Sequence, residues 1–259
     1  MSNAQSGEQD DLNVGALGVV CRPARAGDLP VAVTMFLGAE GKLATTAQVN
    51  EFLRYSGQRQ INLGETWIAE ENGVAAWAML PVLSPGRTAL MFTAAEWSCE
   101  SAAAGELVRR VCQHLSERDV QLAQVLIDPG ELPARKFFAE LGFAEVAELI
   151  YLHGQAPRAT PPTNLPPEMS WVSYGAENHE LFARTILSSY QDSLDCPALT
   201  GVRNIEDVIA GHKATGEFEP ELWHVLCENG KGVGVLLMSR IFGSDSLELV
   251  YLGLAPEGR

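Results

Sequence analysis

The sequence predicts an α/β (α+β) chain of two tandem domains, each a mixed central sheet flanked by helices. Three observations predict it: a proline-rich stretch divides the chain, a strand–turn–strand pattern stands on either side, and helix-period apolar stripes accompany each copy. The dividing stretch is 154–170, GQAPRATPPTNLPPEMS, with five of the fourteen prolines. Proline fixes φ and lacks an amide N–H, so this stretch can be neither helix nor central strand and reads as a semi-extended linker. That leaves a disordered leader over 1–18, a first domain over 19–153 and a second over 171–259.

The repeated pattern is a hairpin. Trp67 opens the run WIAEENG, and apolar residues follow from Val74 to Val82; Trp223 opens WHVLCENG, and a second run follows from Val233 to Met238. Asn-Gly accepts the positive φ angles of a tight turn between antiparallel strands. A third apolar strand follows each time, at 87–94 and 247–254. The offset is 156 residues at the tryptophans and 157 at Asn-Gly, and the matched order points to an internal duplication.

The first copy continues further. Ala104, Leu107, Val108, Val111 and Leu115 make a helical stripe within 102–118. A strand is expected at 121–127, a short helix at 132–141 stopped by Gly142, and a last strand at 143–152. In the second copy the helices, 178–192 and 205–215, precede the hairpin.

Composition narrows the function classes. A formal charge of −15 and a pI near 4.7 over 259 residues argue against a surface for nucleic acid or anionic lipid. No apolar run approaches the roughly 20 residues of a membrane span, and the polar N-terminus has no signal-peptide core, so a cytoplasmic protein is expected. Cys21, Cys99, Cys112, Cys196 and Cys227 are scattered without a C-x-x-C pair, and read as buried free thiols. His114, His153, His179, His212 and His224 lack ligand spacing, so no metal is expected; His212 and His224 are minor candidates for a site, the structural histidine being the more frequent case.

Two segments carry a family resemblance. Pro133-Ala-Arg-Lys-Phe-Phe138-Ala-Glu-Leu-Gly142-Phe143 resembles the A-x-x-F-Y-x-x-x-G-F ending of GNAT-superfamily N-acyltransferase domains. Leu249-Val-Tyr-Leu-Gly-Leu-Ala-Pro256-Glu-Gly-Arg259 resembles the strand and loop that open their acyl-CoA site, where the family continues as V-x-P-x-x-R-G-x-G. The arrangement is similar to tandem enzymes of the mycothiol synthase type, with the second domain incomplete and the chain a C-terminally truncated form. The first copy departs from the pattern twice. Phe138 stands where a tyrosine can protonate the departing thiolate, and residues 96–105 replace the glycine-rich loop, so the first copy reads as degenerate and the second as catalytic.

The resemblance implies acetyl transfer from acetyl-CoA to an amine of a small molecule or peptide. It implies cofactor contacts at Leu252, Gly253, Leu254 and Arg259, the backbone of Leu252 and Leu254 pairing with the pantetheine arm and Arg259 beginning the pyrophosphate loop. It implies Glu248 as base; period-two alternation puts that side chain on one face with Val250, Leu252 and Leu254, where a solvated edge carboxylate is the other reading. It implies an acceptor site at Tyr190, Asp192 and Asp195 in the loop between the first two helices, where ordinary surface-turn residues are the alternative. The competing function is a non-catalytic GNAT-fold ligand-binding or regulatory module. An incomplete second sheet would expose an edge and drive self-association; a clean monomer on size-exclusion chromatography would count against that expectation.

Overall fold

The computed structural model describes residues 18–38, 44–58, 61–93, 101–155, 164–199 and 201–259. The leader up to residue 17, most of the linker's first half, Cys99 and the start of the 96–105 segment lie outside the described residues. The chain divides into two compact units, residues 1–83 with 89–144, and 84–88 with 145–259.

The first unit carries a five-stranded sheet in the order β1-β2-β3-β4-β5: β1 Val19–Pro23, β2 Trp67–Glu71, β3 Val74–Ser84, β4 Thr88–Thr93 and β5 Leu122–Gln124. Its helices are α1 Leu29–Leu37, α2 Thr46–Gln58, α3 Ala102–Glu117 and α4 Leu132–Glu140. The predicted stripe of α3 is buried, with Ala104, Leu107, Val108, Val111 and Leu115 packed on Ala69, Met79, Ala89 and Met91 of the sheet. On the opposite sheet face Ile68 and Ala78 meet Ala32 of α1. Ser101 caps α3, its side chain accepting from the Ala104 amide at 3.2 Å.

The end of α4 explains the first resembling segment physically. Gly142 has φ +90°, its N–H donates to the Ala139 carbonyl at 3.0 Å, and the Phe143 N–H donates to the Phe138 carbonyl at 3.0 Å. That is a Schellman cap, with Gly at the left-handed position. Its customary apolar contact is present too, the Phe138 and Phe143 rings lying 5.2 Å apart, edge to face. Phe138 is a core residue at 3% exposure.

Two expectations fail here. The strand expected at 121–127 is only three residues long, although Val125 and Ile127 still pack on the core. The strand expected at 143–152 does not form: residues 143–155 have no regular secondary structure, and Ile150 and Leu152 are 79% and 91% exposed. A strand needs a neighbour for its ladder. Four consecutive apolar residues, Leu149 to Leu152, also define no single buried face.

The second unit has a four-stranded sheet, order β6-β7-β8-β9, antiparallel at every pairing. Its strands are β6 Met169–Ser173, β7 Trp223–Glu228, β8 Lys231–Arg240 and β9 Leu247–Leu254, with helices α5 His179–Ser189 and α6 Ile205–Lys213. The sheet starts at Met169, two residues inside the expected linker. Phe182, Ala183 and Ile186 of α5, with Val208 and Ile209 of α6, bury Trp223, Val225, Val235 and Leu237.

The two hairpins share one register. In the first, Trp67, Ile68 and Ala69 face Met79, Ala78 and Trp77, and the register shifts between Ala69 and Glu70. In the second, His224, Val225 and Leu226 face Leu236, Val235 and Gly234, with the shift between Leu226 and Cys227. A spacing of 157 reproduces every pair and the bulge, and both turns put Asn and Gly at positive φ (Asn72 53°, Asn229 49°, both glycines 77°). The tryptophans are therefore not equivalents. Trp67 corresponds to His224, and Trp223 to Thr66, whose carbonyls accept equivalent bonds from Tyr174 and Ala24.

The cap yields a prediction for the first unit. Phe138→Ala should cost about 3–5 kcal/mol, as truncation of a buried Phe does, and Gly142→Ala about 1 kcal/mol from its left-handed φ. Urea unfolding followed by circular dichroism checks both; equal losses would refute the cap as drawn.

Candidate functional site

The site is built where α5 meets β9. Thr185 and Ser189 lie one turn apart on the buried face of α5. A Cβ on Gly232 would sit 2.1 Å from Thr185 Oγ1, and one on Gly253 would sit 2.7 Å from Ser189 Oγ. Glycine at these two strand positions lets the helix lie close on the sheet. Ser189 then reaches Tyr251 of β9, Oγ to OH at 2.8 Å. Its single proton goes to the Ile186 carbonyl at 2.7 Å, so the tyrosine donates to the serine.

Arg259 closes the same corner from the other side. Its Nη2 donates to the carbonyls of Gln191 (2.6 Å) and Ser189 (3.1 Å), Nη1 to Asp192 (3.4 Å), and Nε to Leu254 (3.2 Å). The first three are carbonyls at and just beyond the end of α5, groups that a helix leaves unsatisfied and that a cation suits. The expected cofactor residue thus uses its side chain to tie the loop after α5 to the end of β9. Before it, Pro256–Gly258 form a 3-10 turn, and Lys231 pairs with Glu257.

Strand β9 is bulged, and this corrects the face assigned to Glu248. Leu237 faces Tyr251, but Met238 faces Leu249, leaving Val250 as the extra residue. Directly opposed residues share a face. Glu248 opposite Ser239, Tyr251 opposite Leu237 and Gly253 opposite Val235 therefore lie on the helix-covered side. Leu249, Leu252 and Leu254 lie on the other side and are 55%, 62% and 43% exposed. Simple alternation fails because one inserted residue inverts the parity of everything before it. The Glu248 carboxylate itself is exposed.

The three expected acceptor residues follow α5. Tyr190 is its C-cap, and its ring meets that of Tyr251 at 5.5 Å and 76°. Asp195 is exposed but electrostatically close: it raises the pKa of Tyr190, Tyr251 and Cys196, and the Cys196 thiol is its hydrogen-bond partner. Asp192 is exposed with φ 52°, and only its carbonyl enters the Arg259 clamp. The structure thus sets Tyr190 against Tyr251, while Asp192 and Asp195 lie exposed further along the same loop.

Sequence reading missed Tyr251 and weighed His212 only as a minor candidate. His212 of α6 stacks on the Tyr251 ring (5.6 Å, 22°), and its Nε2 is buried without a hydrogen-bond partner among the described residues. Burial, with Arg203 adding its field, holds the imidazole down to about 4, so it is neutral at physiological pH. Burial first, then Tyr251, pushes the Tyr190 phenol up. The signal for Tyr251 was present as the one aromatic in an aliphatic strand; nothing local marks His212. Of the four described cysteines, only Cys227 is fully buried, the others being half-buried, which corrects the expectation of buried thiols. Burial still raises each thiol, Cys21 to about 11. Among the described residues no His/Cys/Asp/Glu group is arranged for a metal, and no helix is long and apolar enough to cross a membrane.

The histidine makes stability pH-dependent. Its folded pKa is depressed from 6.5 to about 4, so the unfolded chain binds its proton first. The stability it contributes is complete above pH 6.5 and is lost as pH falls toward 4, by at most about 3 kcal/mol. His212→Phe should flatten the loss between pH 7 and pH 5 in urea titrations, and an unchanged slope would exclude the residue as its source.

No protein-family model matches the chain, and no curated protein matches it. Solved structures do. A GCN5-related N-acetyltransferase from Sphaerobacter thermophilus is similar over 93% of this chain and 77% of its own, at 15% identity and a TM-score of 0.51. The ribosomal-protein-S18-alanine N-acetyltransferase of Escherichia coli matches 50% of this chain and 79% of its own (18% identity, TM-score 0.39). A predicted acetyltransferase from Clostridium acetobutylicum, solved with acetyl-CoA, matches 52% of this chain and 96% of its own (16% identity, TM-score 0.38). The first of these likenesses, long enough to take in both units, gives the chain the fold of the GCN5-related N-acetyltransferases.

Proposed function

We propose that the chain is an acetyl-CoA-dependent N-acyltransferase acting on an amine of a small molecule or peptide, with its reacting site on β9 of the second unit. The observation that carries this reading is the bulge at Val250, which puts Glu248 on the same face of the sheet as Tyr251, the residue whose ring meets that of Tyr190.

Acetyl-CoA would supply an acyl thioester. β9 is the edge of its sheet, and its outer backbone groups can pair with an amide-bearing arm as they would with a strand; Leu252, Gly253 and Leu254 are placed for this. An extra residue in a bulge takes backbone groups out of the ladder, giving an N–H that can stabilise a developing oxyanion. Glu248 takes the proton of the attacking amine, directly or through water, as the C–N bond forms and the C–S bond breaks, CoA leaving as a thiolate that takes its proton from solvent. Arg259 positions the loop through the α5 carbonyls, leaving its backbone to begin the phosphate turn. For the first unit a non-catalytic, ligand-binding or regulatory role is favoured by one observation: the side chain in the thiolate-acid position, Phe138, is sealed in the core and has no hydroxyl.

Acetyl-CoA at about 100 times its Kd should stabilise the chain by roughly 2.7 kcal/mol, read as a rise in melting temperature. Glu248→Gln should lower turnover on the order of a hundredfold or more while leaving that shift and the unliganded melting temperature unchanged. No shift at millimolar acetyl-CoA, with no transfer to any of a broad amine panel, would sink the reading.

A further inference from the structure

At the start of α5, away from the corner where its last turn meets β9, four polar side chains make one hydrogen-bonded row. Glu206, in the first turn of α6, meets His179 Nε2 at 3.0 Å. His179 Nδ1 meets the hydroxyl of Tyr174, just after β6, at 2.9 Å. Lys213, the last residue of α6, donates from Nζ to that same hydroxyl at 2.7 Å. The direction of each bond follows from the two ends. An ionised carboxylate only accepts, so Nε2 carries the proton of the neutral imidazole. Nδ1 then accepts from the phenol, whose oxygen accepts from the ammonium.

Lys213 stands apart from the other described lysines. Lys136 pairs with Glu140 and Lys231 with Glu257. Lys213 has no carboxylate partner among the described residues. It is half-buried, over the rings of Tyr174 at 4.4 Å and Phe218 at 5.1 Å. A carboxylate on an imidazole on a hydroxyl is the arrangement by which a serine nucleophile loses its proton. Here the hydroxyl passes the effect on to an amine.

We propose that Glu206, His179 and Tyr174 form a proton relay that makes Lys213 an acylation site for small acyl thioesters. Two protons leave the nitrogen. The first passes to the Tyr174 oxygen as the phenolic proton passes to His179 Nδ1. Glu206 stabilises the imidazolium, and the His179 side chain, 31% exposed, returns the proton to water. The free amine attacks the thioester carbon, the C–N bond forming as the C–S bond breaks, and the second proton goes to the departing thiolate. The products are an amide at Lys213 and a free thiol. Tyr174 touches the reacting nitrogen; His179 and Glu206 are positioning residues that act through it. The two ring faces favour the charged lysine by about fivefold each, against the roughly hundredfold or more that a positioned base supplies.

The intact chain treated with S-acetyl-N-acetylcysteamine, a neutral thioester without a nucleotide, tests the relay, with acetylation at each lysine followed by peptide mass spectrometry. Lys213 should react about tenfold or more faster than Lys136 and Lys231. Those two are 72% and 68% exposed and serve as internal references. His179→Gln keeps an acceptor for the Tyr174 hydroxyl but has no base to take up its proton, and should bring Lys213 down to the reference rate. A merely structural loss would free Lys213 and speed it instead. Tyr174→Phe should also remove the lead; should that variant fail to fold, the glutamine variant carries the test. Lys213 reacting no faster than the references, or keeping its lead in His179→Gln, would each overturn the relay. The acetyl-CoA melting shift is a separate readout, since the probe lacks the nucleotide. That shift without a lead for Lys213 would sink the relay alone, and the lead without the shift would sink the transferase reading alone.

Discussion

Thr185 and Ser189 rest on Gly232 and Gly253, and the corner of the second unit where α5 meets β9 depends on that approach. Any Cβ at either glycine would meet a side-chain oxygen of α5 at under 3 Å, so the helix would have to lift. Were it to lift, Ser189 would leave the Tyr251 hydroxyl, and the Arg259 guanidinium would lose the carbonyls at the end of α5. The loop carrying Tyr190 and Asp195 would then lose its fixed distance from β9. Backbone closeness at two positions thus sets the geometry of side chains that come from α5, its following loop, α6 and β9.

The two units show how one hairpin register supports different outcomes. Each places Asn-Gly at the turn and a bulge three residues before it, with identical cross-strand pairs. What differs is the use of the faces. In the first unit, helices lie on both sides: α1 meets Ile68 and Ala78, and α3 covers the face of Trp67, Ala69 and Met79. In the second, α5 and α6 both belong to the cluster around Val225 and Val235. The other side carries His224, Leu226, Leu249, Leu252 and Leu254, and the three leucines of β9 on it are exposed.

Much of this was legible in the sequence because it is local physics. Asn72-Gly73 and Asn229-Gly230 announce their turns, the stripe of Leu107, Val108, Val111 and Leu115 announces α3, and Gly142 announces a helix end. The failures have a common cause as well. Period-two counting along β9 assigned Glu248 to the wrong face because a bulge depends on the partner strand and leaves no mark in an aliphatic run. The segment 143–152 has strand composition, yet pairing is a property of two strands. His212 looked like a structural histidine, and its stacking on Tyr251 joins residues 39 positions apart. Tyr190 and Asp195 were set just after α5 because their loop could be located from the helices around it.

Tyr251 shows how this corner is held. A buried phenol normally finds a partner for its hydroxyl, and Tyr251 meets that condition through Ser189. Its ring meets that of Tyr190 edge to face and stacks on that of His212. Burial pushes both phenols up, so both stay protonated at physiological pH and the contact is one between neutral groups. One side chain of β9 thereby ties the strand to the end of α5 and to α6, and loss of its ring would loosen both attachments at once.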